Sequence, residues 1–402
     1  MAALLRDRFA ILAAMNETRS TSTSAPQQLV LIGGGHSHAL VLKHWRETPL
    51  PGVKLTLVSP QPLTPYSGML PGLVAGHYSV AQAHIDLPTL CRSAGAEFIE
   101  AAATGLDLEA REVHFADLPP LRFDLLSINS GIGPDLSVPG AAEFATPVKP
   151  IGRLYGRWQG IRAQLAEAQE RQVIGVVGGG AAGVELVQAL QQAVLADPAI
   201  TVAVDFVLVQ KNTGLPEGYP ARLQRKLARL FEQKQIQVRD GFAVAQVTAD
   251  GLLSENGERL PLGHIFWCTQ ARPADWLADT GLALDPQGFI ALNDYLQSTS
   301  HSCVFAAGDI AQQEHHPRPH AGVFAVRQGP VLFDNLCRAL SQQPLQAYVP
   351  QHKFLSLLSC GDRRGRPYAL GCRLGGGDWV LGGKWVWHWK DRIDQAFMAL
   401  FD

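Results

Sequence analysis

The residues best placed to do chemistry in this chain are glycines that follow short apolar runs. Val173, Ile174, Val176 and Val177 lead into Gly178, Gly180 and Gly183, which complete the spacing GxGxxG. After a strand and ahead of a helix, that spacing builds a cradle for the pyrophosphate of a dinucleotide. One glycine permits the tight turn, one the close approach of backbone, one the packing of helix on strand. Glu185 follows two residues later, and Leu186, Leu190 and Val194 recur at four-residue intervals on one helix face. A partial copy lies upstream. Leu29, Val30, Leu31 and Ile32 run into Gly33 and Gly35, and a helix is expected from there through about Trp45. Its N-terminal amides would favour a phosphate. His38 stands where the third glycine would be, and His36 and His38 are expected to line this turn.

Each cradle needs a second strand to present the residue that meets the ribose, usually an acid. For the first cradle that strand is residues 53–60, where Ser59 offers a hydroxyl, a weaker partner than a carboxylate. For the second it is residues 206–210, ending in Gln210 with Lys211 next. Gln210 removes the repulsion an acid would exert on a 2′-phosphate, and Lys211 could attract one, so NADH and NADPH are both admitted. The apolar run over 123–131 ends at Gly131, and that over 303–310 ends in Gly308 and Asp309. Asp309 could point a carboxylate at a polyol hydroxyl or be an ordinary turn residue. A helix is expected over 320–327, with Gly322 near its start, where amides could face an anionic ring edge. Residues 64–72, Thr-Pro-Tyr-Ser-Gly-Met-Leu-Pro-Gly, read equally as a plain loop or as a segment passing a flat aromatic ligand.

These motifs call for two doubly wound units, and 402 residues suffice for two or three domains. Hydrophobic residues at 47% and charged residues at 17% fit a globular core. A net charge of −2 carries no bias toward nucleic acid or an anionic membrane. No apolar run approaches the ~18 residues of a transmembrane helix. The six cysteines, at 91, 268, 303, 337, 360 and 372, form no CxxC. That argues against a local dithiol or a zinc ribbon, and a reduced, cytoplasmic setting is expected. The histidines at 36, 38, 315, 316 and 320 show no convergence of three or four ligands, so no metal is expected. Residues 1–14 could form a short helix and 18–28 a Ser/Thr-rich linker. Met15 is an alternative start, and Arg6, Asp7 and Arg8 break the apolar core a secretory signal would need.

The resulting plan is an α/β chain with two Rossmann-like units, the second inserted in the first. A flexible segment covers 1–27. The first unit comprises 28–146 and 285–345, the second 147–284, and an α+β segment covers 346–402. Pro139, Gly140, Pro147 and Pro150 mark the crossover, and 153–170 reads as a helix leading into the second unit. Near the C-terminus Trp385, Trp389, Ile393, Phe397 and Phe401 are spaced by four. They form an aromatic stripe suited to packing on its own domain, on a second copy in a homodimer, or on the inner face of a membrane as a peripheral contact.

The order of these motifs resembles the pyridine nucleotide-disulfide oxidoreductase superfamily of two-dinucleotide flavoproteins over residues 28–336. Lacking a dithiol, the chain looks like the type II NADH dehydrogenase branch, single-subunit flavoproteins that reduce quinones. Four strings look most like the FAD-containing NADH dehydrogenase-like domain associated with selenophosphate synthetase (selenide, water dikinase). They are Gly-Gly-Gly-His-Ser-His at 33–38, the string at 64–72, Val-Lys-Pro-Ile at 148–151 and Trp-Val-Trp-His-Trp-Lys-Asp at 385–391. The resemblance implies FAD on Gly33 and Gly35, with Pro65 and Tyr66 beside the flavin and Asp309 at its ribityl or pyrophosphate region. It implies NADH or NADPH on Gly178, Gly180 and Gly183, with Glu185 near the nicotinamide. His38, Ser59 and Gln210 depart from the family pattern. The implied activity is hydride transfer from NAD(P)H to FAD and on to an acceptor, a quinone or another small molecule. Alternatives are a flavoprotein serving selenium metabolism, a sulfide:quinone oxidoreductase-like enzyme with distant cysteines meeting at the flavin, and a non-catalytic flavin or nucleotide sensor.

Overall fold

The computed structural model describes residues 25–269, 271–376 and 379–402. The helix expected over 1–14 and most of the 18–28 linker lie outside them. The linker expectation is corrected at its end, because strand β1 (Gln27–Ile32) already starts at Gln27. Leu29, Val30, Leu31 and Ile32 are at most 3% exposed. An unbroken apolar run suits a parallel strand covered on both faces.

β1 passes through the glycine turn into α1 (His36–Glu47) and pairs in parallel with β2 (Val53–Ser59). β3 (Glu97–Glu100) extends the sheet beyond β2, and β4 (Leu125–Ile128) lies on the other side of β1. The chain then leaves this sheet. After α2 (Ile151–Glu167) come β5 (Gln172–Val177), α3 (Ala181–Ala196), β6 (Val204–Val209), α4 (Ala221–Lys234), β7 (Ile236–Arg239) and β8 (His264–Trp267). They form a second parallel sheet ordered β8-β5-β6-β7, with Thr146–Pro147 beside β8. β9 (Val304–Ala306) then returns to pair with β4, so the first sheet reads β9-β4-β1-β2-β3. One unit is inserted in the other because the first sheet is completed only after the second is built.

α5 (Gly322–Leu340) packs on α1, where Gly329 lies so close to Leu40 that a Cβ would stand 2.7 Å from its side chain. The helix expected over 320–327 begins later than its first residues suggest: His320 precedes it and Ala321 is the N-cap. Residues 64–72 are not a plain loop. A short strand, Leu63–Pro65, and a short helix, Leu70–Val74, flank a turn.

The C-terminal segment adds an antiparallel sheet of β10 (Phe354–Asp362), β11 (Pro367–Leu374) and β12 (Val380–Gly383), followed by α6 (Lys384–Met398). Leu358, Cys360, Leu370 and Cys372 share one buried core with Val184 and Leu190 of α3. α6 corrects the single aromatic stripe. Trp385, Trp389 and Ile393 are 53%, 37% and 43% exposed, whereas Phe397 is buried and Phe401 lies past the helix end. The inward face carries Val386, Lys390, Asp394 and Phe397. A buried ion pair thus takes the place that spacing alone gives to tryptophan. Among the described residues no helix is long and apolar enough to cross a membrane.

Phe305 of β9 is fully buried. Phe305→Ala should lower stability by about 3–5 kcal/mol, read as a fall in the denaturant midpoint. A midpoint within error of the parent would contradict the role of this late strand in completing the first sheet.

Candidate functional site

The first glycine turn lines one cleft of about 1810 Å³, which the helix that follows the second turn reaches through Ala181, Ala182 and Glu185. Sites for one drug-sized ligand measure about 300–1,000 Å³, so this cleft has room for two molecules in contact.

The first turn follows β1. Gly33 has φ +94°, in the region that favours glycine, and a side chain there would stand 2.5 Å from the Asn129 carbonyl oxygen. Gly35 N-caps α1, and Gly35 and His36 face the cleft together with Gly131 and Gly308. Asn129, which no motif in the sequence singled out, sits among these glycines. Its amide donates to the Ala307 carbonyl, and its buried Oδ1 has no partner. The Gly308 amide donates to Gln328 Oε1 at 2.7 Å. Ser59 lines the cleft, but its hydroxyl donates to the Gln61 carbonyl at 3.0 Å.

The two histidines separate. His36 lies on the wall, its pKa lowered by burial and partly restored by a hydrogen bond to the Pro65 backbone. His38 corrects the expectation that it lines the turn. It is fully buried beneath it, with Nδ1 2.7 Å from the Gly33 carbonyl and Nε2 2.8 Å from the Ser127 hydroxyl. Burial pushes its pKa down to about 4, so the neutral ring braces the turn from below. An imidazole fills the space that a third glycine would have left to the backbone.

Asp309 lies on the cleft in an ion pair with Lys149 at 3.2 Å. Gly322 begins α5 on the same wall. His320, also on the cleft, stacks on Phe289 at 4.0 Å, and burial lowers its pKa.

The second turn sits behind the other end of the cleft. Gly178 has φ +124°, Gly180 N-caps α3, and Gly183 lies against the Gly178 carbonyl, where a Cβ would collide. That close approach lets Ala181, Ala182 and Glu185 of α3 face the cleft. Glu185 Oε1 accepts from the Ser359 amide at 2.7 Å. Burial pushes its pKa up to about 7, while Lys390 and the Ser359 hydrogen bond pull it down. Gln210 lies past β6 outside the main cleft, 6% exposed, and donates to the Asp240 carboxylate.

Beside the first turn, against His36, Pro65 and Tyr66 face the cleft. The Tyr66 ring stacks on Phe397 at 4.6 Å and meets His36 edge-on at 5.2 Å. Its hydroxyl bonds to Asp394, and burial and that carboxylate raise its pKa. Lys390 Nζ lies 2.6 Å from Asp394 and also donates to the Gly68 carbonyl. Burial raises the Asp394 pKa against the pull of Lys390. Within α6, the i,i+4 spacing of Lys390 and Asp394 could have flagged this pair. Cys268 also lines the cleft, and burial pushes its thiol up to about 12. Among the described residues no three His, Cys, Asp or Glu side chains converge to hold a metal; His315 and His316 lie near Asp294.

Two parallel α/β sheets, each with a glycine turn after its central strand, define a protein with paired dinucleotide-binding folds. A family model described as pyridine nucleotide-disulphide oxidoreductase matches residues 27–329, and the chain belongs to that family. It is an oxidoreductase with NADH dehydrogenase-like relatives. An NADH dehydrogenase-like protein of Mycobacterium tuberculosis is 28% identical over 279 residues, covering 65% of this chain and 68% of that protein. Human ferroptosis suppressor protein 1 is 24% identical over 272 residues, covering 63% and 66%. Among solved structures, sulfide:quinone oxidoreductase from Aquifex aeolicus superposes with a TM-score of 0.77 at 18% identity, covering 93% of this chain and 91% of that one. NDH2 from Plasmodium falciparum in complex with NADH gives 0.75 at 14%, covering 93% and 97%. At these identities the structures speak for the fold.

The brace at His38 has a pH signature. The folded chain protonates it only near pH 4, the unfolded chain near its ordinary 6.5. Between those values the unfolded state binds more protons, so stability falls as pH drops through that window, by up to about 3 kcal/mol. Denaturant midpoints measured between about pH 4.5 and 7 should show this loss in the parent and a flatter profile in His38→Gln. Equal slopes for the two proteins would refute the brace.

Proposed function

We propose that this protein is an FAD-dependent NAD(P)H dehydrogenase that passes electrons to a small-molecule acceptor, a quinone. The observation that carries this reading is one cleft lined by the first glycine turn and Asp309 and reached by Ala181, Ala182 and Glu185 of α3, the helix that starts at the second glycine turn. A pyrophosphate matches the N-terminus of α1 at Gly35 and His36, and ribityl hydroxyls match the unpartnered Asn129 carboxamide oxygen and the Asp309 carboxylate, while the Gly33 amide is spent on the Val58 carbonyl and holds the turn. A flavin held there would supply the two-electron redox chemistry between a nicotinamide donor and the acceptor.

The chain's own residues orient and exclude. Gly178, Gly180 and Gly183 hold the donor's pyrophosphate at the start of α3. Glu185, held by the Ser359 amide, positions the nicotinamide at the same helix end. Holding donor and acceptor in register supplies roughly 7–11 kcal/mol of the barrier. Pro65, Tyr66 and Phe397 wall off the opposite side. Reduction of a quinone consumes two electrons and two protons, and the Lys390–Asp394–Tyr66 group can hold a proton at Lys390 Nζ on that side. The exposed Trp385, Trp389 and Ile393 support a peripheral membrane contact, where lipophilic acceptors reside. A service to selenium metabolism rests on the four strings alone. The Cys268 thiol, pushed up to about 12, disfavours a thiolate route of the sulfide:quinone oxidoreductase kind.

The purified protein should absorb near ~450 nm and bleach on anaerobic addition of NADH or NADPH. A colourless chain that takes up no FAD on reconstitution overturns the reading; bleaching without catalytic reoxidation by any quinone favours a sensor. Because burial pushes the Glu185 carboxyl up to about 7, the pH profile of kcat/KM for the donor should carry an ionisation there. Glu185→Gln should remove that ionisation and lower kcat/KM about ten- to a hundredfold. An unchanged profile would remove Glu185 from the donor site.

A further inference from the structure

The second cradle lacks an acid at the end of β6, yet the fold brings one there from the neighbouring strand. Gln210 is the first residue past β6, and Asp240 the first past β7. The two strand ends are locked together: the Gln210 amide donates to the Arg239 carbonyl at 3.0 Å, and the Phe242 amide donates to the Gln210 carbonyl at 2.9 Å. The Gln210 side chain is 94% removed from solvent by its surroundings, since 6% is exposed. Its Nε2 donates to Asp240 Oδ1, and its Oε1 lies against Gly179, inside the GxGxxG turn itself. The carboxamide therefore ties the Asp240 carboxylate to the glycine turn.

An ionised carboxylate accepts at about four lone-pair sites, and Gln210 uses one. Asp240 is exposed, so its second oxygen remains open to a ligand. The cation nearest in sequence, Arg239, is committed to an ion pair with Glu258. That leaves Lys211 as the opposing influence, an exposed cation beside Gln210.

Resting on the reading of this turn as the donor's cradle, we infer that Asp240, presented by Gln210, is the ribose-recognising acid of the donor site. It accepts from the adenosine ribose diol and repels a 2′-phosphate, so the physiological donor is NADH. The carboxylate that a single strand usually provides is here divided between two strand ends, one supplying the scaffold and the other the charge.

The test isolates the adenosine end and needs no turnover. ADP-ribose and 2′-phospho-ADP-ribose are titrated calorimetrically into the full chain saturated with FAD. A charge-assisted bond gained by one ligand and lost by the other should favour ADP-ribose by about ten- to a hundredfold. Asp240→Asn should bring the ratio toward one, whereas Lys211→Ala should leave ADP-ribose the tighter ligand. Tighter or equal binding of the 2′-phospho form, or a ratio unmoved by Asp240→Asn, overturns the inference and leaves the donor site standing. Binding of neither ligand overturns the donor site and the inference together.

Discussion

The cleft depends on one buried hydrogen bond, from the Asn129 side chain to the Ala307 carbonyl. Asn129 follows β4 and Ala307 follows β9, and 178 residues separate them. Their backbones are also joined to the sheet: Asn129 N donates to the Ile32 carbonyl and Ala307 N to the Ile128 carbonyl. Three strand ends are thereby drawn to one point, directly beneath Gly33 and Gly35. A neutral amide buried at 3% exposure is costly unless bonded, and here the bond exists only when the late strand has come home. The first cradle is consequently not a local motif. It is complete only when the inserted unit has folded aside and the chain has returned.

The inserted unit meets a similar constraint through packing. Gly183 brings α3 onto the second turn, and α3 is then covered by β10 and β11 of the C-terminal segment. The same segment places the Ser359 amide on Glu185 and sends α6 back across the first unit, where Phe397 reaches Tyr66. One C-terminal element thus contacts both cradles. The Lys390–Asp394 pair at 5–11% side-chain exposure lies at that junction, and its burial is compensated by Tyr66 and the Gly68 carbonyl. The tryptophans on the outer face of α6 are left to solvent or to a partner surface.

Departures from the expected motif turn out to be structural rather than chemical in kind. His38 replaces a glycine and becomes a neutral brace between the Gly33 carbonyl and Ser127. Ser59 replaces an acid and turns its hydroxyl proton to Gln61. Gln210 replaces an acid and holds a carboxylate that belongs to another strand. In each case the substituted side chain serves the backbone next to the cradle.

Much of the fold was legible from local pattern. Apolar runs at 29–32 and 173–177, the second interrupted by Gly175, glycines directly after them, and four-residue periodicity in 186–194 reflect steric and hydrophobic rules that act within a few residues. Those rules determine strand, turn and helix, and they determined both cradles and the strand before Asp309. What only the tertiary structure decided involves partners distant along the chain. Asn129 and Asp240 carry no local signature, and the i,i+4 spacing of Lys390 and Asp394 gives the pair but not its burial, because their meaning comes from Ala307, Gln210 and Tyr66. The facing of α6 belongs here too: spacing by four defines a stripe but not which way it points. A helix buries the face whose partners satisfy it, and on α6 that face joins Val386, Trp387 and Phe397 to an ion pair with waiting donors and acceptors, leaving Trp385 and Trp389 outward.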